Sequence, residues 1–233
     1  MGKDVIVALD FPCRKETTGF LDLFREEKPY VKIGMELFYR EGPDMVREIK
    51  QRGHRIFLDL KLHDIPNTVA SAMLNLGRLN VDMINLHAAG GMEMMRQAAQ
   101  ALSALGDEKP LLIAVTVLTS LTQEAVKDEL LIVGSLQDTV LHYAANAKAA
   151  GLDGVVCSPL EAAGVHEKLG KAFVTVTPGI RFAGGDKGDQ QRVTTPEKAR
   201  ELGADYIVVG RPVTRAEDPI SAYRRCIHEF VGA

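Results

Sequence analysis

Disulfides, membrane spans and a basic surface are all missing from this chain. Its three cysteines, Cys13, Cys157 and Cys226, are odd in number and far apart. They make no disulfide frame and fit a reducing, cytoplasmic compartment. No apolar run is long enough to span a membrane, and the first residues lead straight into a strand pattern, so no secretory leader is expected. Net charge is only −3 and the isoelectric point about 6.1, which leaves no footprint for nucleic acid. Cys/His spacing of the metal-binding kind is absent. So is any linker, low-complexity tract or short-period repeat that would divide the chain. What remains is 233 residues, 46% hydrophobic and 25% charged, a length and composition that suit one α/β domain over residues 1–233.

Short runs rich in Val and Ile alternate with helical segments along the whole chain. Strands are expected over 5–9, 30–34, 55–60, 82–86, 111–118, 154–157, 173–177 and 206–209. Helices are expected over 14–27, 41–51, from 66 onward, 92–105, 138–150, 160–169, 196–202 and 219–231. The strands are nearly continuous in apolar character, as parallel strands covered on both faces must be. Eight β-then-α units predict a (β/α)8 TIM barrel. A doubly wound open sheet is the alternative, but it usually carries a glycine-rich dinucleotide turn after the first strand. Here that turn reads Asp10-Phe11-Pro12-Cys13.

In such a barrel the chemistry sits at the C-terminal ends of the strands, and the polar residues fall there. The first strand ends in Asp10, the second carries Lys32, and the third carries Asp59 and Lys61. Strand side chains alternate between faces, so Phe57, Asp59 and Lys61 share one face and Ile56, Leu58 and Leu60 the other. An isolated Asp-x-Lys can be a structural ion pair. Asp64, just before the helix-opening Pro66, adds a third charge at the same strand end. The stretch 179–192 after the seventh strand is long and glycine-rich, and the eighth strand ends in Gly210-Arg211. Barrels commonly hold a phosphate in this region. Arg211 can grip it bidentately and Gln190 can donate its amide.

The run Asp59-Leu60-Lys61-Leu62-His63-Asp64-Ile65-Pro66-Asn67-Thr68 closely resembles the signature of the orotidine 5′-monophosphate decarboxylase family, in its shorter, bacterial-type branch. Ala8-Leu9-Asp10, Val31-Lys32-Ile33-Gly34, the stretch 115–120, Thr177-Pro178-Gly179-Ile180-Arg181 and Val209-Gly210-Arg211-Pro212 fit in family order. The resemblance implies conversion of orotidine 5′-monophosphate to UMP and CO2 with no metal and no organic cofactor. It makes Lys61 the cation and proton donor at C6, and sets Asp59 beside the departing carboxylate. It puts Asp10 and Lys32 on the ribose hydroxyls, with Lys32 also joining the charged array. Thr119 and Ser120 would face the pyrimidine edge, and Gln190, Gly210 and Arg211 the phosphate, with Arg181 fixing the loop. The same resemblance implies a homodimer in which Asp64 and Thr68 enter the neighbouring subunit's site.

Two other readings use the same residues. A metal-dependent sugar-phosphate decarboxylase of a sister barrel would stabilise an enediolate on Mg²⁺, yet Lys32 stands where such barrels carry an acid. A Schiff-base aldolase needs a neutral lysine, whereas flanking carboxylates favour the charged form. His63 and His87 read as hydrogen-bonding residues, and Cys157 as a small buried hydrophobe.

Overall fold

The computed structural model describes residues 3–184 and 192–232. Eight parallel strands follow one another around a closed barrel. They are β1 (Asp4–Ala8), β2 (Tyr30–Gly34), β3 (Ile56–Leu62), β4 (Met83–His87), β5 (Leu111–Val115), β6 (Gly154–Val156), β7 (Val174–Thr177) and β8 (Tyr206–Val209). β8 pairs back onto β1 with Ile6 opposite Val208, which leaves no strand edge exposed.

The two-residue period splits the apolar side chains into two cores. Ile6, Tyr30, Phe57, Met83, Ile113, Val174 and Tyr206 fill the barrel interior. Val7, Ile33, Leu58, Ile84, Leu112, Val155 and Ile207 lie under the surrounding helices. A strand buried on both faces has no polar side to show, which explains the unbroken apolar runs.

The N-terminal rim is closed by a local device that recurs three times. Asn80, Gly151 and Gly203 adopt φ of 58°, 91° and 86°, the left-handed conformation, one or two residues past a helix C-cap. Two residues later Asp82, Asp153 and Asp205 each turn a carboxylate onto the preceding strand. They accept the backbone N–H of Ile56 at 2.7 Å, Leu112 at 2.8 Å and Thr175 at 2.8 Å respectively. This rim is committed to stability, so the opposite one is left for chemistry.

Some boundaries differ from the sequence expectation. The segment expected as a helix over 41–51 is Pro43–Gln51, and a separate helix Met35–Glu41 precedes it. Gly42 at φ 70° followed by Pro43 forces the break. β5 stops at Val115 because the chain then turns over the mouth, and β3 runs on to Leu62. Helices Gln123–Asp128 and Arg211–Thr214 are too short to show a clear periodicity.

Candidate active site

A cavity of about 510 Å³ opens at the C-terminal rim, large enough for a small-molecule ligand. Ala8, Phe57, Val115, Val156 and Val208 supply apolar walls. Asp10, Lys32, Asp59, Lys61, Thr119, Ser120, Arg181, Gly210 and Arg211 line it as well, so most of the residues singled out in the sequence meet in one place.

The charged residues form a continuous array. Asp10 Oδ1 lies 3.1 Å from Lys32 Nζ, Lys32 Nζ lies 3.4 Å from Asp59 Oδ2, and Asp59 Oδ1 accepts from Lys61 Nζ at 2.7 Å. Burial alone would lower the Lys32 ammonium, but Asp59 and then Asp10 outweigh it and hold its pKa above the usual lysine range. Burial would likewise raise Asp59. Lys32 and Lys61 overcome it, helped by hydrogen bonds from Lys61 and Asn85, and keep the carboxyl below its ordinary range. Lys32 and Asp59, the two buried members, therefore stay charged near neutral pH.

Asp59 and Lys61 meet for a reason that simple alternation does not supply. The pairing of β3 with β4 shifts register between Leu58 and Leu62, and Lys61 sits at φ 53°. A non-glycine residue in the left-handed region costs on the order of 1–2 kcal/mol. Lys61 thus stands on a bulged, strained stretch near the end of β3, and its ammonium meets the Asp59 carboxylate. Asn85, whose role no local sequence signal reveals, is 1% exposed. Its Oδ1 accepts the Lys61 backbone N–H at 2.8 Å, and its Nδ2 donates to Asp59 Oδ1 at 2.7 Å.

The base of the loop after β7 is pinned on both sides. Arg181 N–H donates to Thr194 O at 2.9 Å, and Thr194 N–H to Gly179 O at 3.1 Å. Arg192 pairs with the buried Glu161 carboxylate and donates to the Leu118 carbonyl at 3.2 Å. Glu161 also closes a capping box with Ser158. Neither Arg192 nor Glu161 stood out in the sequence, because their contact joins residues 31 positions apart. Gln190 lies outside the described residues.

Asp64 and Thr68 do not line the cavity. Both are exposed, at the start of the helix Pro66–Gly77, with Ile65 67% exposed between them. The hydrogen bonds expected of His63 and His87 are absent among the described residues; instead their rings lie 5.6 Å apart. Burial, then His63 and Lys61, lower His87 below the usual histidine range. Cys157 is fully buried and its thiol is pushed far up by that burial, which makes it an inert core residue. Among the described residues, no three His, Cys, Asp or Glu side chains are grouped to hold a metal ion. No helix among them is long and apolar enough to cross a membrane.

Known proteins resemble this chain over nearly its whole length. An orotidine 5′-phosphate decarboxylase of Bacillus cytotoxicus is 54% identical over 235 residues, covering 100% of this chain and 99% of its own. A crystal structure of orotidine 5′-phosphate decarboxylase from Lactobacillus acidophilus superposes with a TM-score of 0.88 at 41% identity, over 98% of this chain and 99% of that one. A crystal structure described as an uncharacterized conserved protein from Geobacillus kaustophilus gives 0.87 at 49% identity, over 97% and 99%. With the family's sequence pattern matched from residue 3 to residue 226, the chain belongs to the orotidine 5′-phosphate decarboxylase / HUMPS family.

Proposed function

We propose that the chain removes the C6 carboxylate of orotidine 5′-monophosphate as CO2 and leaves UMP, the last step of de novo pyrimidine nucleotide synthesis. The observation that carries this reading is the Asp10, Lys32, Asp59 and Lys61 array, sharing one cavity with Gly210 and Arg211. Full-length relatives that bear this enzyme's name support the same substrate.

Breaking the bond from C6 to the carboxylate leaves the electron pair in an orbital in the ring plane, where the ring π system cannot spread it. Fixed charge aimed at that carbon lowers the barrier instead. The Lys61 ammonium faces the developing pair and gives its proton to C6, and the neutral amine then regains a proton from water. Asp59 lies beside the departing carboxylate and holds Lys61 in line. Asp10 and Lys32 take the ribose hydroxyls, and Thr119 and Ser120 the pyrimidine edge. Gln190, Gly210 and Arg211 grip the phosphate, and Arg181 fixes the loop. That grip is remote from C6, so its binding energy offsets the cost of desolvating the charges.

The array supports a reaction without a metal or an organic cofactor. Both Asp59 oxygens are engaged by ammonium groups, and a cation beside a carboxylate opposes a divalent ion there. The exposed Asp64, Ile65 and Thr68 support a homodimer in which each subunit lends Asp64 and Thr68 to its partner's site.

The test is loss of orotidine 5′-monophosphate absorbance after exhaustive chelation and dialysis. Full turnover is expected. Activity restored only by Mg²⁺ would move the chain to the metal-dependent branch, and no turnover under either condition would remove the reading altogether.

A further inference from the structure

An asparagine inside a barrel strand is out of place on general grounds. Its amide is costly to bury unless hydrogen-bonded, and asparagine is depleted in strands. Asn85 sits in β4 one pleat from Met83, which fills the interior core, and it pairs with Ile113 of β5. A valine or leucine there would serve the barrel better. Among the described residues its side chain makes two hydrogen bonds, to the Lys61 N–H and to Asp59 Oδ1, and both partners belong to the charged array.

These two bonds fix the orientation of the amide. The Lys61 N–H can only donate and the ionised Asp59 carboxylate can only accept, so oxygen must face Lys61 and nitrogen Asp59. The side chain therefore bridges the bulge. Through its oxygen it holds the Lys61 backbone at φ 53°, a conformation that needs outside support. Through its nitrogen it stops the Asp59 carboxylate from rotating, so that Oδ1 stays 2.7 Å from Lys61 Nζ and Oδ2 stays turned to Lys32.

We propose that Asn85 is a positioning residue for the decarboxylation, clamping the Lys61 backbone and the Asp59 carboxylate in the geometry that aims the Lys61 ammonium at C6. This rests on the reading of Lys61 as the proton donor.

Two variants test it, with Lys61→Ala as the control for the underlying reading. In Asn85→Ala the cavity walls and the phosphate end are untouched. Turnover should fall about tenfold to a hundredfold, while the dissociation constant for 6-azauridine 5′-monophosphate stays within about threefold of wild type. Wild-type turnover, or a loss of binding as large as the loss of turnover, would overturn the proposal. Asn85→Asp has the same shape and carries the test should the alanine variant fold poorly. Its new carboxyl would face Asp59 and Lys61 from β3, with Lys32 beyond Asp59 and His87 further along β4. When protonated it donates to Asp59 as the amide does; when ionised it repels Asp59. The ratio of variant to wild-type kcat/KM should therefore climb as pH is lowered from 8 toward 5. A ratio independent of pH would overturn the donor role. If Lys61→Ala itself keeps wild-type turnover, the proton-donor reading fails, whatever the Asn85 variants do.

Discussion

Lys32 Nζ lies 3.4 Å from Asp59 Oδ2, reaching it from the neighbouring strand, while Lys61 Nζ holds the other oxygen at 2.7 Å. A buried carboxylate with an ammonium on each oxygen is already ionised and oriented before any ligand arrives. Fixed charge of this kind is effective because it does not reorganise during the reaction.

That pairing has a consequence for stability. Asp59 is held below its unfolded value of about 3.9 because Lys32 and Lys61 outweigh its burial. A depressed pKa contributes stability that is present above the unfolded pKa and lost as pH falls through the folded one. The unfolding free energies of wild type and Asp59→Asn should therefore converge as pH is lowered below about 4. A constant gap between pH 7 and pH 3 would show that the two ammonium groups do not stabilise the carboxylate.

Lys61→Ala should nearly abolish turnover and leave binding of product-like nucleotides intact. Lys61 acts on charge that is present mainly in the transition state, so its loss falls on kcat. A decrease of only a few-fold would require another acid.

Gly34 separates the array from the helix Met35–Glu41. A Cβ placed there would stand 3.1 Å from Lys32 Nζ and 3.4 Å from Asp10 Oδ1. Gly34 has no positive φ, so the backbone tolerates alanine and the cost falls on the ion pair. Gly34→Ala should lower kcat/KM about tenfold with little change in melting temperature. Unaltered kinetics would mean that Lys32 moves aside without penalty.

Much of this was legible in the sequence, and the exceptions share a cause. The barrel could be read because each β-then-α unit carries its own local signal, and Asp59 and Lys61 because they are two residues apart on one strand. Asn85 could not, since its meaning depends on Lys61 and Asp59 of the adjacent strand, 24 and 26 positions away. Arg192 was hidden in the same way by its contact with Glu161. The aspartates that cap the N-terminal rim look like ordinary loop residues until Asp82, Asp153 and Asp205 are seen to repeat one contact. Strand alternation predicted the meeting of Asp59 with Lys61 for an incomplete reason, because a period of two contains no bulge.

Arg211 opens the short helix after β8 and lines the cavity. As a phosphate grip, Arg211→Ala should raise KM for the nucleotide strongly and affect the nucleoside lacking phosphate much less. Equal losses on both substrates would mean that Arg211 acts on the ring or on folding.

The exposed positions of Asp64 and Thr68 lead to the sharpest test. Both stand at the start of the helix Pro66–Gly77, outside the cavity that holds Lys61. If they complete a partner's site, a two-fold axis makes the exchange reciprocal and each site draws on both chains. Lys61→Ala and Asp64→Ala should then each be inactive alone. In a mixed dimer one site collects both defects, while the other takes Lys61 and Asp64 from unmutated copies. Random re-association makes half the dimers mixed, and half of their sites intact, so roughly a quarter of wild-type activity should return. No recovery after verified subunit exchange would mean that Asp64 serves its own chain, and its distance from the cavity would then have to be closed by movement of the 62–66 turn.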